Sequence, residues 1–146
     1  MARLIHDLTH TRTGTIAVLA GLVSLTMVSA ASANKCETAE DQATLNQCAT
    51  DALKTADAKL NSVYHEAQRR LADDPDGKKL LTAAQRDWIA FRDAECSFAA
   101  SAVDGGSAYP MVHAGCLEKL TTARTEQLQD YLNCEEGDLS CPLPPR

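Results

Sequence analysis

Aromatic side chains are scarce in this 146-residue chain, which has one Trp, three Tyr and two Phe. A bulky core is therefore excluded. Many of its apolar residues are alanines, and each removes little surface from water at roughly 25 cal/mol per Å² buried. Alternating polar and apolar runs of strand length are missing, so no sheet is expected. There is no C-x-x-C pair and no histidine couple near the cysteines, which excludes a structural zinc site and a thioredoxin-like redox role. No glycine loop followed by Lys and Ser or Thr is present to cradle a phosphate. Ser107 has no G-x-S-x-G setting, and nothing in the pattern gives it a base and an orienting acid. Glu135 and Glu136 are adjacent rather than facing each other across a cleft, so glycoside hydrolysis is not indicated. His65 and His113 stand on helical segments with carboxylates nearby, as solvated histidines do. No catalytic residue, metal ligand or cofactor is expected, and the chain does not read as an enzyme. Basic excess is lacking too. With 14 Lys and Arg against 20 Asp and Glu the net charge is −6, which argues against nucleic acid and suits a basic partner.

The first residues read as an address. Arg3 and Arg12 give a positive start, Thr15 to Met27 is an apolar run short for a bilayer span, and Ala31-Ser32-Ala33 fits the small-x-small pattern of a cleavage site. Residues 1–33 are expected to be a signal peptide, leaving an exported protein, periplasmic or secreted, without a membrane span. Ala33-Asn34-Lys35 precedes Cys36 in place of the box a lipid anchor needs. Cleavage would remove Arg3, Asp7 and Arg12 and make the remainder more acidic.

All six cysteines lie beyond that segment: Cys36, Cys48, Cys96, Cys116, Cys134 and Cys141. An even number in an exported chain implies three disulfides and no free thiol. Folded on paper, the first four converge on one pole. Their pairing stays open, but at least one bridge is expected to join Cys36 or Cys48 to Cys96 or Cys116. Cys134 and Cys141 would close a small acidic loop, with Pro142, Pro144 and Pro145 preventing further helix.

The fold class is all-α, an antiparallel up-down-up three-helix bundle stapled by disulfides. Ala49, Ala52, Ala56, Leu60, Val63, Ala67 and Leu71 form one helical stripe, with Thr38 or Asp41 as cap. Asp73-Asp74-Pro75-Asp76-Gly77 stops that helix. A second runs from about Lys78 to Ala102 with Leu81, Ala84, Trp88, Phe91, Phe98 and Ala102 along its apolar positions. Asp104-Gly105-Gly106-Ser107-Ala108-Tyr109-Pro110 breaks it, and a third runs from about Met111 to Leu132 with Leu117, Leu120, Leu128 and Tyr131. The helical domain is taken as 34–133, and 134–146 as a disulfide-closed tail.

Gln85-Arg86-Asp87-Trp88-Ile89-Ala90-Phe91-Arg92-Asp93, with Asn61 and Tyr64 before it and Cys116-Leu117 and Arg124 after it, resembles the lysozyme inhibitor LprI family of small exported bacterial proteins. The resemblance covers roughly residues 36–132. It implies an exported protein that binds and inhibits a lysozyme or a similar basic wall hydrolase. The alternative is a non-catalytic envelope module that binds another protein or peptidoglycan. Within that resemblance Asn61, Tyr64, Gln85, Trp88, Phe91, Arg92, Asp93 and Arg124 are expected to be structural. Trp88 would anchor the core, and the arginines would pair with carboxylates such as Asp93, Glu95 or Glu118. Two surfaces are candidates for partner binding: the loop with Asp104, Ser107 and Tyr109, and the acidic hairpin with Glu135, Glu136 and Asp138.

Overall fold

A computed structural model describes residues 35–135 and 137–144; the expected signal peptide and Glu136 lie outside them. Three long helices account for most of the described chain: α1 (Gln42–Arg70), α2 (Pro75–Ala99) and α3 (Tyr109–Leu132), with a 3-10 turn at Ser101–Val103 after α2. No strand occurs among the described residues, and none of these helices is long and apolar enough to cross a membrane.

Each start has a chemical cause. Asp41 caps α1 by accepting from the Thr44 N–H at 2.9 Å, which satisfies an orphan donor of the first turn. Its carboxyl is held below the usual range first by its hydrogen bonds with Thr44. The α1–α2 connection is tighter than expected. Asp74 accepts from the Gly77 N–H at 2.9 Å, and Pro75 opens α2, a position where its missing N–H costs nothing. Gly77 thus lies inside the first turn of α2. A Cβ there would strike the Asp74 carboxylate and press on Leu71, so the cap requires glycine. Likewise α3 begins at Tyr109, two residues before the expected start, with Pro110 in its first turn.

Helix α1 packs along α3, whereas α2 rests on α3 over a much smaller area. The stripe read on α1 buries Ala56, Leu60, Ala67 and Leu71. The buried face of α3 is more polar than expected: Ala114, Thr121, Arg124, Thr125, Leu128 and Leu132. These positions keep helical spacing, but Thr and Arg hid them from a search for apolar residues. Thr125 satisfies its hydroxyl by donating to the Thr121 carbonyl at 2.8 Å, as a buried hydroxyl must.

Two expectations for α2 are corrected. Phe91 is 56% exposed and Phe98 75% exposed, so neither belongs to the core. Phe91 lies about 60° round the helix from Trp88, past the edge of the face that α3 covers. Trp88 itself is only half-buried.

The disulfides are Cys36–Cys48, Cys96–Cys116 and Cys134–Cys141, with Cα separations of 5.7, 5.5 and 5.7 Å, and no cysteine is free. The expected bridge from Cys36 or Cys48 to Cys96 or Cys116 does not form. Cys48 lies on α1 and pairs with the segment just before that helix, while fully buried Cys96 ties α2 to α3. Sharing a pole did not fix the partners, because helix rotation decides which Cβ atoms face each other.

The tail past Cys141 returns to the body. Leu143 is buried with Ala67, Leu71 and Leu132, and Val63, Leu81 and Tyr131 pack around them. Arg70 clamps it by donating to the Pro144 and Leu132 carbonyls, both at 2.6 Å. Leu143→Ala is expected to cost about 2–3 kcal/mol, the range for leucine truncation in a small cluster. Urea denaturation checks this, and a loss under 0.5 kcal/mol would show the tail is not part of the core.

Candidate functional site

Two constellations stand out, one inside the fold and one on its surface. The internal one centres on Trp88. The Arg92 guanidinium lies 5.2 Å from the indole ring centroid and that of Arg124 lies 6.0 Å away, within reach of cation–π attraction. Arg92 Nη1 donates to Asp57 Oδ1 of α1 at 3.2 Å and to the Thr121 hydroxyl of α3 at 3.1 Å. Its Nη2 pairs with Asp93 at 2.9 Å. One side chain of α2 therefore touches both other helices. Arg124 donates through Nε to Gln85 at 3.0 Å and through Nη1 to Gln127, and burial draws its pKa below the ordinary arginine value.

The expected arginine partners are thus met in part. Asp93 serves, while Asp57, which sequence reasoning missed, replaces Glu95 and Glu118 for Arg92. Arg124 has amide partners and, among the described residues, no salt bridge. Gln85 makes an inter-helix bond of the kind anticipated. Tyr64 is half-buried and accepts from Gln68 at 3.0 Å. Asn61 is exposed, and its side chain enters none of the hydrogen bonds seen among the described residues. With its polar atoms paired to neighbouring side chains, this centre locks helices together and leaves little for a ligand.

The surface constellation lies at the end of the molecule where the α1–α2 turn meets the tail. Asp74, Glu135 and Asp138 line one open cleft of about 330 Å³ beside the Cys134–Cys141 bridge. Sequence reasoning singled out Glu135 and Asp138 but not their neighbour Asp74, which is 61 residues before Glu135. Asp138 accepts from the Ser140 hydroxyl at 2.7 Å and from its backbone N–H at 2.8 Å. Those bonds hold the Asp138 carboxyl below its usual range. A depressed carboxyl stabilises the folded loop above the unfolded carboxyl range and loses that contribution as pH falls through the folded value. Cys134 and Cys141 are joined to each other, so they offer no thiolate for a metal.

The other candidate surface is less free than expected. Asp104 and Ser107 are exposed, but the Ser107 carbonyl accepts from Asn46 of α1 at 3.0 Å. Gly105 takes φ 72°, a conformation open to glycine. Tyr109 is half-buried in the first turn of α3 and stacks on His113, with ring centroids 5.3 Å apart. His65 is exposed beside Tyr64, with ring centroids 6.1 Å apart.

A short helical protein, stapled by three disulfides and bearing an acidic cleft at one end, is the class these features define. The chain belongs to the lysozyme inhibitor LprI family, whose sequence profile matches residues 32–128. An uncharacterised protein of Rhizobium meliloti is 35% identical over 113 residues, covering 70% of this chain and 81% of its own length. YecT of Escherichia coli, also uncharacterised, is 31% identical over 105 residues, covering 63% of this chain and 65% of its own. No solved structure is matched. The profile match ends before Cys134, so the acidic tail loop lies outside the matched region.

Proposed function

We propose that this protein is an exported, non-catalytic binding protein of the bacterial envelope that docks a lysozyme or a similar basic peptidoglycan hydrolase and inhibits it. Family membership supports the class of partner. The carboxylates Asp74, Glu135 and Asp138 around one cleft support the docking end. Three disulfides suit an oxidising compartment outside the cytoplasm. An up-down-up course of the three helices suits the Cys96–Cys116 bridge and brings the α1–α2 turn beside the tail.

Physically, an acidic end steers a cationic hydrolase toward it and sets its orientation. Occlusion of a substrate cleft then needs a hard protrusion. The bridged loop after Cys134 is such an element, since both of its ends are fixed.

The test is binding kinetics and lysozyme inhibition at two salt concentrations. Glu135→Gln/Glu136→Gln/Asp138→Asn is expected to slow association about 10-fold at low salt, with the difference shrinking at high salt as exposed charges are screened. Asn at 138 keeps the oxygen that Ser140 uses. Ser107→Ala/Tyr109→Ala should bind nearly as the parent does. Faster dissociation of that variant with little salt dependence would move the site to the loop. Capture of an envelope protein in place of a hydrolase would favour the scaffold alternative.

A further inference from the structure

One nitrogen of the Trp88 centre is left over. Arg124 uses Nε on Gln85 and Nη1 on Gln127, while Nη2 has no hydrogen-bond partner among the described residues. No carboxylate of those residues pairs with this guanidinium, although the residue is only 8% exposed. A buried charge is ordinarily paired, because its desolvation is costly. Arg92, on the same indole ring, has Asp57 and Asp93. Among the described residues the only fully enclosed side-chain polar atom without a partner is Arg70 Nε. Arg124 Nη2 is therefore not enclosed, and it opens to a cavity.

The groove that Arg124 lines is apolar and holds about 340 Å³. Leu71 at the end of α1, Leu81 and Ala84 of α2, and Leu143 of the returning tail wall it, together with Tyr131 of α3. The chain carries a net charge of −6, yet among the described residues Arg124 is the one charged side chain in this wall. Tyr131 adds a second donor. Gln127 Oε1 accepts from Arg124, which fixes the amide, so its Nε2 donates to Tyr131 Oη at 3.0 Å. The tyrosine oxygen is the acceptor in that bond, and its own proton has no acceptor among the described residues. Two unused donors in an apolar wall suit an anion that carries a hydrocarbon chain.

We propose that this groove is a binding site for a single-chain amphiphile with an anionic head, of the fatty-acid class. The carboxylate takes Arg124 Nη2 and the Tyr131 hydroxyl, and the chain covers Leu71, Leu81 and Leu143. A monoanionic carboxylate fits better than a phosphate, because one guanidinium nitrogen and one hydroxyl supply too few donors for a dianion. The volume lies near the lower end of ordinary ligand pockets, about 300 to 1,000 Å³. That suits one short chain such as decanoate and leaves no room for a two-tailed lipid.

Calorimetric titration of the intact, oxidised protein with decanoate tests this. One equivalent should bind with a Kd on the order of 10 µM. Decanol, which lacks the charge, should bind at least ~10-fold more weakly. Decyltrimethylammonium should not bind. Its charge suits the acidic chain as a whole, so a preference for the carboxylate reports the arginine. Ala84→Trp, at an exposed position of the wall, should weaken decanoate binding at least ~20-fold by filling the groove. Tyr131→Phe should cost about 3-fold and Arg124→Gln about 10-fold, with circular dichroism confirming each fold. Should Arg124→Gln fail to fold, the alcohol comparison and Tyr131→Phe still read the head-group contact. Phe98→Ser, on the exposed face of α2, should leave affinity unchanged. A loss there overturns the site, because it puts the ligand on that face. No binding up to about 1 mM, equal affinity for the three amphiphiles, or indifference to Ala84→Trp also overturns the proposal.

Discussion

Cys96→Ala/Cys116→Ala should lower the stability of the protein by about 3 kcal/mol, because the bridge closes a 20-residue interval in an otherwise open chain. The same loop-closure reasoning gives about 2 kcal/mol for Cys134–Cys141, with its separation of 7. Local structure makes the difference larger than chain entropy alone. Helix α1 already has an extended interface with α3, but α2 has a narrow one. Its buried residues on that side are few: Gln85 and Cys96. Without the bridge, α2 is held by the Trp88 centre, by Leu81 near the tail cluster and by its turns. Hydrogen exchange should therefore speed up in the second half of α2 well before α1 and α3 lose protection. Equal loss in all three helices would show that the bridge stabilises the domain as a whole and does not specifically retain α2.

This unequal packing marks the limit of what the amino-acid pattern revealed. Helix α1 was legible because its apolar residues recur at three and four and the structure buries that row. The starts of α2 and α3 lie three and two residues before the positions the pattern predicts, since Pro75 and Pro110 read as breakers and both sit in a first turn. On α2 two adjacent rows are apolar. Trp88 belongs to the row against α3, and Phe91 and Phe98 belong to the row that no described helix covers. Periodicity alone merges them, because it reports that a face is apolar and not what meets it. On α3 the opposite failure occurred. Thr121, Arg124 and Thr125 are buried with their polar atoms bonded to Arg92, to Gln85 and Gln127, and to the Thr121 carbonyl, so hydrophobicity gave no sign of them. The acidic end was half legible: the loop between Cys134 and Cys141 could be drawn from spacing, but its apposition to Asp74 depends on Leu143 folding back, which one leucine among prolines did not announce.

Trp88→Ala should cost about 3 kcal/mol, at the low end for tryptophan truncation, because the side chain is half-buried and the loss of area is partial. The larger consequence falls on its neighbours. Arg124 is buried, with only 8% of its surface exposed, and the indole face gives its charge a favourable field where water is largely excluded. Removing the ring leaves that charge with Gln85 and Gln127 alone. Arg92 is less affected, since Asp57, Asp93 and Thr121 still hold it. A double-mutant cycle should therefore show about 1 kcal/mol of coupling between Trp88 and Arg124. The coupling of Trp88 with Arg92 should be smaller, even though Arg92 is nearer the ring. Native fluorescence should emit at a wavelength between those of buried and fully solvated indole. Emission at the solvated value would remove Trp88 from the joint between helices. Equal coupling to both arginines would mean that distance to the ring, and not burial of the charge, governs the interaction.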